Sequence, residues 1–566
     1  MSIPSDLDIA RASTVRPIGD IASGMGLPED LWEPYGRDIG KVSLDAIEEL
    51  ADRPPAKYIL VTAITPTPLG EGKTTTSIGL AQGFGHIGKR ATLALRQPSM
   101  GPTFGIKGGA AGGGFSQVIP MEKLNLHLTG DFHAITAAHN LLAAMLDNHL
   151  YQGNDLGLDI HNIEWRRVMD VNDRALRNVI VGLGARLDGV PRQTGFDITA
   201  ASELMVLLAL ATSEKDMRDR IGKIVVGYTK SGDPITAEDL KAAGAMAVIL
   251  RDALRPNILQ TIEGQPCLTH TGPFGNIATG QSSIVADLIG IKTGDYLITE
   301  AGFGADIGAE KFFDIKCRLS GLEPAAAVVV ATVRALKAHS GRHTIKPGKP
   351  LPPELLAENP DEVATGGANL RKHLENLKKF GITPVVAINA FPTDHPSEHE
   401  VIREIAAEAG ARSAVATHVV NGGAGAVDLA RVVEEVANEP NDFRFLYPLE
   451  DTIEQKIEKI ATSLYGATGV SYTPAAAAQA KRYQELGYGH LPIVIAKTHL
   501  SITSDAKLLG APENWGPLPV RELRLAAGAG YVYAVCGDIR TMPGLSSSPA
   551  AERIDIDAEG NIVGLS

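Results

Sequence analysis

Residues 58–74 read YILVTAITPTPLGEGKT. The first seven are apolar apart from Thr62 and of strand length, the pattern of a strand buried on both faces. Two prolines, two glycines and a Lys-Thr pair follow, which predicts a turn over 65–72 and a helix from Lys73. A strand, a glycine turn and a helix N-terminus together are the setting of a phosphate-binding loop. Backbone N–H groups turn inward there, and the helix end carries partial positive charge. In the run Thr67, Pro68, Leu69, Gly70, Glu71, Gly72, Lys73, Thr74, the glycines permit a tight wrap. Lys73 supplies charge for the outer phosphates, and Thr74 a hydroxyl for Mg2+. Thr67 stands where the motif G-x-x-x-x-G-K-[ST] has its first glycine. The competing reading is an ordinary strand–turn–helix with Lys73 in solvent.

Working outward, residues 91–95, 179–183, 224–228, 326–330, 384–388 and 413–420 read as further short strands. Residues 197–211, 236–254, 369–380, 399–409 and 453–465 carry helical patterns. Strands alternating with helices predict an α/β fold with a parallel sheet covered on both faces. Arg96 then emerges at the carboxyl end of a strand, where such sheets place ligands. A guanidinium there is suited to neutralise charge as an anionic acceptor meets a γ-phosphate; a structural ion pair is the alternative. Glycine runs at 108–114 (GGAAGGG) and 422–425 (GGAG) allow backbone to approach a ligand or simply form loops. The Pro-rich stretch 340–360 is the best domain boundary, with a weaker one near 439–448.

The chain has 566 residues, enough for several domains. Its net charge of −13 argues against sequence-blind nucleic-acid binding. No apolar run reaches the roughly 18 residues needed to cross a bilayer, and the N-terminus lacks a signal pattern. Three scattered cysteines, Cys267, Cys317 and Cys536, build neither a disulfide framework nor a metal cluster, so a reducing cytoplasm is expected. His127, His133, His139, His149 and His161 crowd one region without metal-ligand spacing, which favours polar packing.

Several long strings resemble the formate–tetrahydrofolate ligase family: TPLGEGKTTT, RQPSMGPTFGIKGGAAGGGFSQVIPME, RVMDVNDRALRNVIVGLG, AGFGADIGAEKFFDIKCR and PVVAINAFPTD. The resemblance runs over nearly the whole chain. It implies a large P-loop-type nucleotide-binding domain with a parallel sheet (1–365), which also holds formyl phosphate. Two smaller α/β domains would follow, one at 366–450 contributing to the acceptor pocket and one at 451–566. It implies a homotetramer. It also implies that ATP, with Mg2+, phosphorylates formate to formyl phosphate, and that N10 of tetrahydrofolate takes the formyl group. A monovalent cation (K+ or NH4+) activates the family. Lys73 and Arg96 carry over as the catalytic electrophilic groups, and Phe391 as the ring that stacks on the pterin; a core aromatic is the other reading of Phe391.

The acceptor half departs from the family pattern. Gln97 replaces a glutamate and Val419 a tryptophan, and Asn421 stands where the family has lysine. Thr279, Gln281, Ile39 and Ser546 also differ. The phosphate half is kept. That contrast suggests a paralogue with the same acyl-phosphate chemistry and a different amine or modified-pterin acceptor; a non-catalytic nucleotide-binding regulator is a third possibility. If 413–420 is a strand, His418 faces away from Val419. Asp306, Glu310 and Lys311 are expected near the site, and Cys536 has no base to make it a nucleophile.

Overall fold

The computed structural model describes residues 4–105, 111–343, 345 and 351–565. The elements that position the site are, in chain order, β1 (Lys57–Ala63), α1 (Lys73–His86), β2 (Ala91–Leu95), β3 (Asn257–Thr261), β4 (Pro266–Thr269), β5 (Tyr296–Glu300), β6 (Ala326–Ala331), α2 (Val333–His339), α3 (Pro360–Lys379), β7 (Pro384–Asn389), β8 (Arg412–Ala416), α4 (Val427–Ala437), α5 (Ile453–Tyr465), β9 (Ile493–Ala496), β10 (Glu522–Ala526) and β11 (Tyr531–Val535). The main sheet has 12 strands, and its centre runs β4-β2-β5-β1-β6-β7-β8. Every neighbouring pair in that run is parallel. β3 pairs antiparallel with β4 and leads to the outer strands. The fold is therefore mixed α/β around a parallel-dominated sheet. Residues 384–416 add two strands to this same sheet.

Strand alternation divides the apolar residues between two cores. Tyr58 and Leu60 of β1 enter one cluster, with Val329 of β6 and Ile388 of β7. Ile59, Val61 and Ala63 enter the other, with Val328 and Val385. Helices α2 and α3 cover the first face, and α1 and α4 the second; α5 packs outside α3, with the Asn376 amide on the Leu464 carbonyl. Each fully buried Val, Leu or Ile contributes roughly 1.5–3 kcal/mol, so the sheet centre is the most rigid platform available. β9 and β11 are parallel, β10 is antiparallel to β11, and their apolar residues Ile493, Leu523 and Val532 join the first cluster.

Five expectations change. The helix foreseen at 197–211 is regular only over Glu203–Leu210; the strand Phe196–Ile198 and a short turn Thr199–Ala201 precede it. The strand foreseen at 413–420 stops at Ala416; His418–Asn421 is a short helix, so His418 and Val419 are not opposite-face neighbours. The strand at 179–183 exists as Val179–Val181 but pairs antiparallel with Arg192–Thr194, outside the main sheet. The strand at 224–228 is Val225–Thr229, in a three-stranded antiparallel sheet. The helix foreseen at 236–254 is broken, with its regular turn confined to Ala243–Leu250. Short apolar runs carry no periodicity long enough to separate sheet from lobe, and tertiary pairing decides them.

Helix α1 approaches residues 418–426 so closely that two positions admit only glycine. A Cβ on Gly79 would fall 2.6 Å from the His418 side chain, and one on Gly83 2.7 Å from the Ala426 carbonyl. Gly83→Val is expected to cost about 1–3 kcal/mol through overpacking. Gly244→Ala, on a helix with open space around it, should gain up to about 1 kcal/mol. Denaturant midpoints of the two variants check this.

Candidate active site

The loop between β1 and α1 leaves the sheet from one tightly held residue. Thr65 donates its N–H to Asn369 Oδ1 (3.0 Å). Its hydroxyl meets Asn369 Nδ2 and His373 Nε2, each at 2.9 Å, and its carbonyl meets His339 Nε2 at 2.8 Å. These partners lie on α2 and α3, so the helices on one face fix where the loop begins.

Within the loop, the residue that replaces the first motif glycine has its own task. The Thr67 N–H donates to Glu71 Oε1 at 2.7 Å, and the Thr67 hydroxyl to the same oxygen at 3.2 Å. The Leu69 N–H donates to the Thr67 hydroxyl at 3.3 Å, and Gly70 N–H to the Thr67 carbonyl at 3.2 Å. Pro68 is exposed at the tip. Gly72 has φ +78°, and a Cβ there would lie 2.5 Å from Asn389 Nδ2, which donates to the Glu71 carbonyl. Lys73 Nζ stands 3.7 Å from Glu71 Oε2.

Three strand ends converge beside this loop. Thr74, after β1, donates its hydroxyl to Glu300 Oε2 at 2.7 Å. Arg96, after β2, places Nε 3.7 Å from Glu300 Oε1 and donates from Nη1 to the Pro273 carbonyl at 3.4 Å. Glu300 ends β5, the strand between the other two, and is almost fully buried. One carboxylate thus links the first turn of α1 to Arg96. Glu300 was not singled out from the sequence. The signal was present: an apolar run, YLIT, ending in an acid just before AGFG.

The predicted acceptor residues are placed as follows. Gln97 is buried; its N–H donates to the Thr271 carbonyl at 2.6 Å, and its Oε1 has no hydrogen-bond partner. Phe391 is half-buried in the loop after β7, and its N–H donates to Asp394 Oδ2 at 2.9 Å. The Arg334 guanidinium lies 4.0 Å from the centre of its ring. The Val419 carbonyl accepts the Phe115 N–H at 2.9 Å, and a Cβ at Gly114 would be 2.1 Å from that oxygen. Asn421 is exposed, with its amide on the Thr417 hydroxyl. Of the glycine run, Ala111–Gly114 are described, while residues 106–110 lie outside the described residues.

The histidines scatter among different partners. His127 and His133 meet each other at 2.9 Å, and His139 lies buried against Trp165 and Ser202. Among the described residues no His, Cys, Asp and Glu group suits a metal ion. Asp306 pairs with Lys497 at 2.8 Å. Lys311 donates to the Gly275 and Asn276 carbonyls, and burial pushes its ammonium down to about 7. Burial, then Asp314, raises the Glu310 carboxyl far above the usual range. Burial pushes the Cys536 thiol up to about 12, which fits an inert packing role.

A model of the formate–tetrahydrofolate ligase family matches residues 4–566. The chain belongs to that family. A formate–tetrahydrofolate ligase of Saccharopolyspora erythraea is 65% identical over 566 residues, covering 100% of both chains. Formate–tetrahydrofolate ligase 1 of Rubrobacter xylanophilus is 64% identical over 571 residues, covering 99% of each. A formate–tetrahydrofolate ligase of Cutibacterium acnes is 63% identical, covering 99% of this chain and 100% of that one.

Five buried histidines, His339 among them, tie stability in this family member to pH. Burial lowers His139 to about 3, and His270, His373 and His418 to about 4, from an ordinary 6.5. The unfolded chain takes up these protons first. Their contribution is therefore complete above pH 6.5 and lost as pH falls toward 4. The thermal midpoint should be level above 6.5 and drop below it, and His373→Gln should flatten part of that slope.

Proposed function

We propose that this chain is an ATP-dependent carbon–nitrogen ligase that joins formate to N10 of tetrahydrofolate through formyl phosphate. The observation that carries this reading is the shared Glu300 carboxylate, which draws Thr74 and Arg96 to one place beside Lys73. The loop 67–74 is then a P-loop-type nucleotide site, with the triphosphate at the N-terminus of α1. Formate and the γ-phosphate are both anionic, so their encounter needs concentrated positive charge; Lys73 and Arg96 supply it. A formate oxygen attacks the γ-phosphorus and ADP leaves. N10 then attacks the formyl carbon, the carbon–oxygen bond to phosphate breaks, and the N10 proton leaves with the phosphate, giving 10-formyltetrahydrofolate. The mixed anhydride hydrolyses readily, so the site must hold the amine close and exclude water.

The residues present fit Mg2+. The Thr74 hydroxyl and the Glu300 carboxylate are hard oxygen donors beside the loop, and the ion would add charge neutralisation on the phosphates. K+ or NH4+ activation comes with the family. On the acceptor side, Phe391 offers a ring for the pterin. The unpartnered Gln97 Oε1 offers an acceptor for an acceptor N–H. Gln97, Val419 and Asn421 had suggested a different amine. Relatives 64–65% identical over the full length carry the formate–tetrahydrofolate ligase name, and nothing supports that switch.

A homotetramer belongs to this reading. Ile180, Leu183 and Leu187 are 63%, 75% and 84% exposed on one segment, with Val248 at 76% on the helix Ala243–Leu250. Apolar groups so placed suit burial between copies. A cytoplasmic location fits three buried, unpaired cysteines.

Two experiments test the proposal. With ATP, Mg2+, K+ and formate, product should form only when tetrahydrofolate is present, read as methenyl-tetrahydrofolate absorbance after acid. Lys73→Met, Arg96→Met and Glu300→Gln should each lower kcat/KM by about 10²-fold or more. Formate-independent ADP release, or no folate product, would overturn it. In light scattering, Leu187→Asp should shift the assembly to smaller species.

A further inference from the structure

The ring proposed to receive the acceptor is not a lone platform. β6 and β7 run parallel with Ala331 opposite Ile388. Three residues beyond each partner, the chain reaches Arg334 and Phe391, which therefore emerge side by side at the carboxyl edge of the sheet. Arg334 sits in the first turn of α2, whose N-cap Thr332 accepts the Ala335 N–H at 3.1 Å. Its guanidinium lies 4.0 Å from the Phe391 ring centre. Nη2 donates to the Thr393 hydroxyl at 2.8 Å, in the same loop as the ring, while Nε is buried with no hydrogen-bond partner. Phe391 is itself held by the turn in which its N–H and carbonyl bond Asp394.

Two local rules are broken here together. A cation in the first turn of a helix opposes the helix dipole. A buried N–H without an acceptor costs free energy. Such breaches, gathered at a site, mark a side chain retained for what it does to its neighbour.

We infer that Arg334 is a positioning residue for the aromatic acceptor, occupying one face of Phe391 so that the ring presents only the other. This deepens, and rests on, the assignment of Phe391 to the acceptor. The physics is specific. A cation on one face draws density through the ring and leaves the opposite face poorer in electrons. A reduced pterin, with electron-donating amino groups on its pyrimidinone, stacks better on a poorer face. The guanidinium also fixes the ring plane through Thr393, which lowers the ordering cost of the acceptor.

Initial-rate kinetics test this with R334M, R334K and F391L, alone and as the R334M/F391L pair. R334M should raise KM for tetrahydrofolate about tenfold, with KM for ATP and formate changed by less than about twofold. R334K, which keeps charge but not the plane, should recover part of the loss. In the F391L background R334M should add nothing, because the layer it acts through is gone. The inference fails if F391L raises the tetrahydrofolate KM while R334M leaves it unchanged; the acceptor assignment then stands alone. It fails together with that assignment if F391L itself has no effect. It also fails if R334M changes all three KM values alike, since that is a packing defect. Should R334M not fold, R334K decides: an unchanged tetrahydrofolate KM overturns the inference, and a selective rise of about threefold or more supports it.

Discussion

Two cations at the carboxyl edge of the sheet each stand opposite one acid, and neither pairing is a hydrogen bond. Lys73 faces Glu71, and Arg96 faces Glu300, both at 3.7 Å. At that separation the two pairs are held by charge rather than by a direct hydrogen bond. Arg96 Nε has no hydrogen-bond partner, so an anion offering it a shorter contact would not first have to break a strong bond to Glu300. The acids keep positive charge from accumulating in a partly buried place, where an uncompensated cation would carry a desolvation cost. Glu300 has the larger structural share. Its second oxygen takes the Thr74 hydroxyl, so the counter-charge of Arg96 also anchors the first turn of α1.

That arrangement requires a sheet that does not yield. Central strands buried on both faces supply it, and the two apolar clusters oppose one another across β1, β5, β6 and β7. The loops can then be polar, glycine-rich and irregular, because their ends are fixed. Thr65 shows the principle at one residue, with backbone N–H, carbonyl and hydroxyl all bonded to side chains of α2 and α3.

Residues 58–74 told most of the central story because three signals agree there: a strand apolar apart from Thr62, glycines at turn positions and a Lys-Thr pair at a helix start. Arg96 was legible because it follows a second such strand. Glu300 was passed over although its signal, a strand-like run ending in an acid before AGFG, was present; only the pairing of β5 between β1 and β2 shows which side chains it links. The strand expected through Val420 failed for a related reason. THVV continues the apolar pattern of β8, yet Gly79 lets α1 press against His418, and the chain turns into a helix there. Arg334 was invisible for want of register. Only the pairing of β6 with β7 brings it over Phe391, and no spacing along the chain encodes that contact.

Asn369 reaches in two directions. One side of its amide holds Thr65, and the other proton is taken by the carbonyl of Gly510. Asp306, close to the same layer, finds its counter-charge in Lys497. Both outside partners come from distant sequence, 141 positions beyond Asn369 and 191 beyond Asp306. Without residues 497–510 in place, water would have to meet that amide proton and that carboxylate. The residues of the 65–74 turn are thus not enough to set its shape, and a substitution in a segment far along the chain can reach its base.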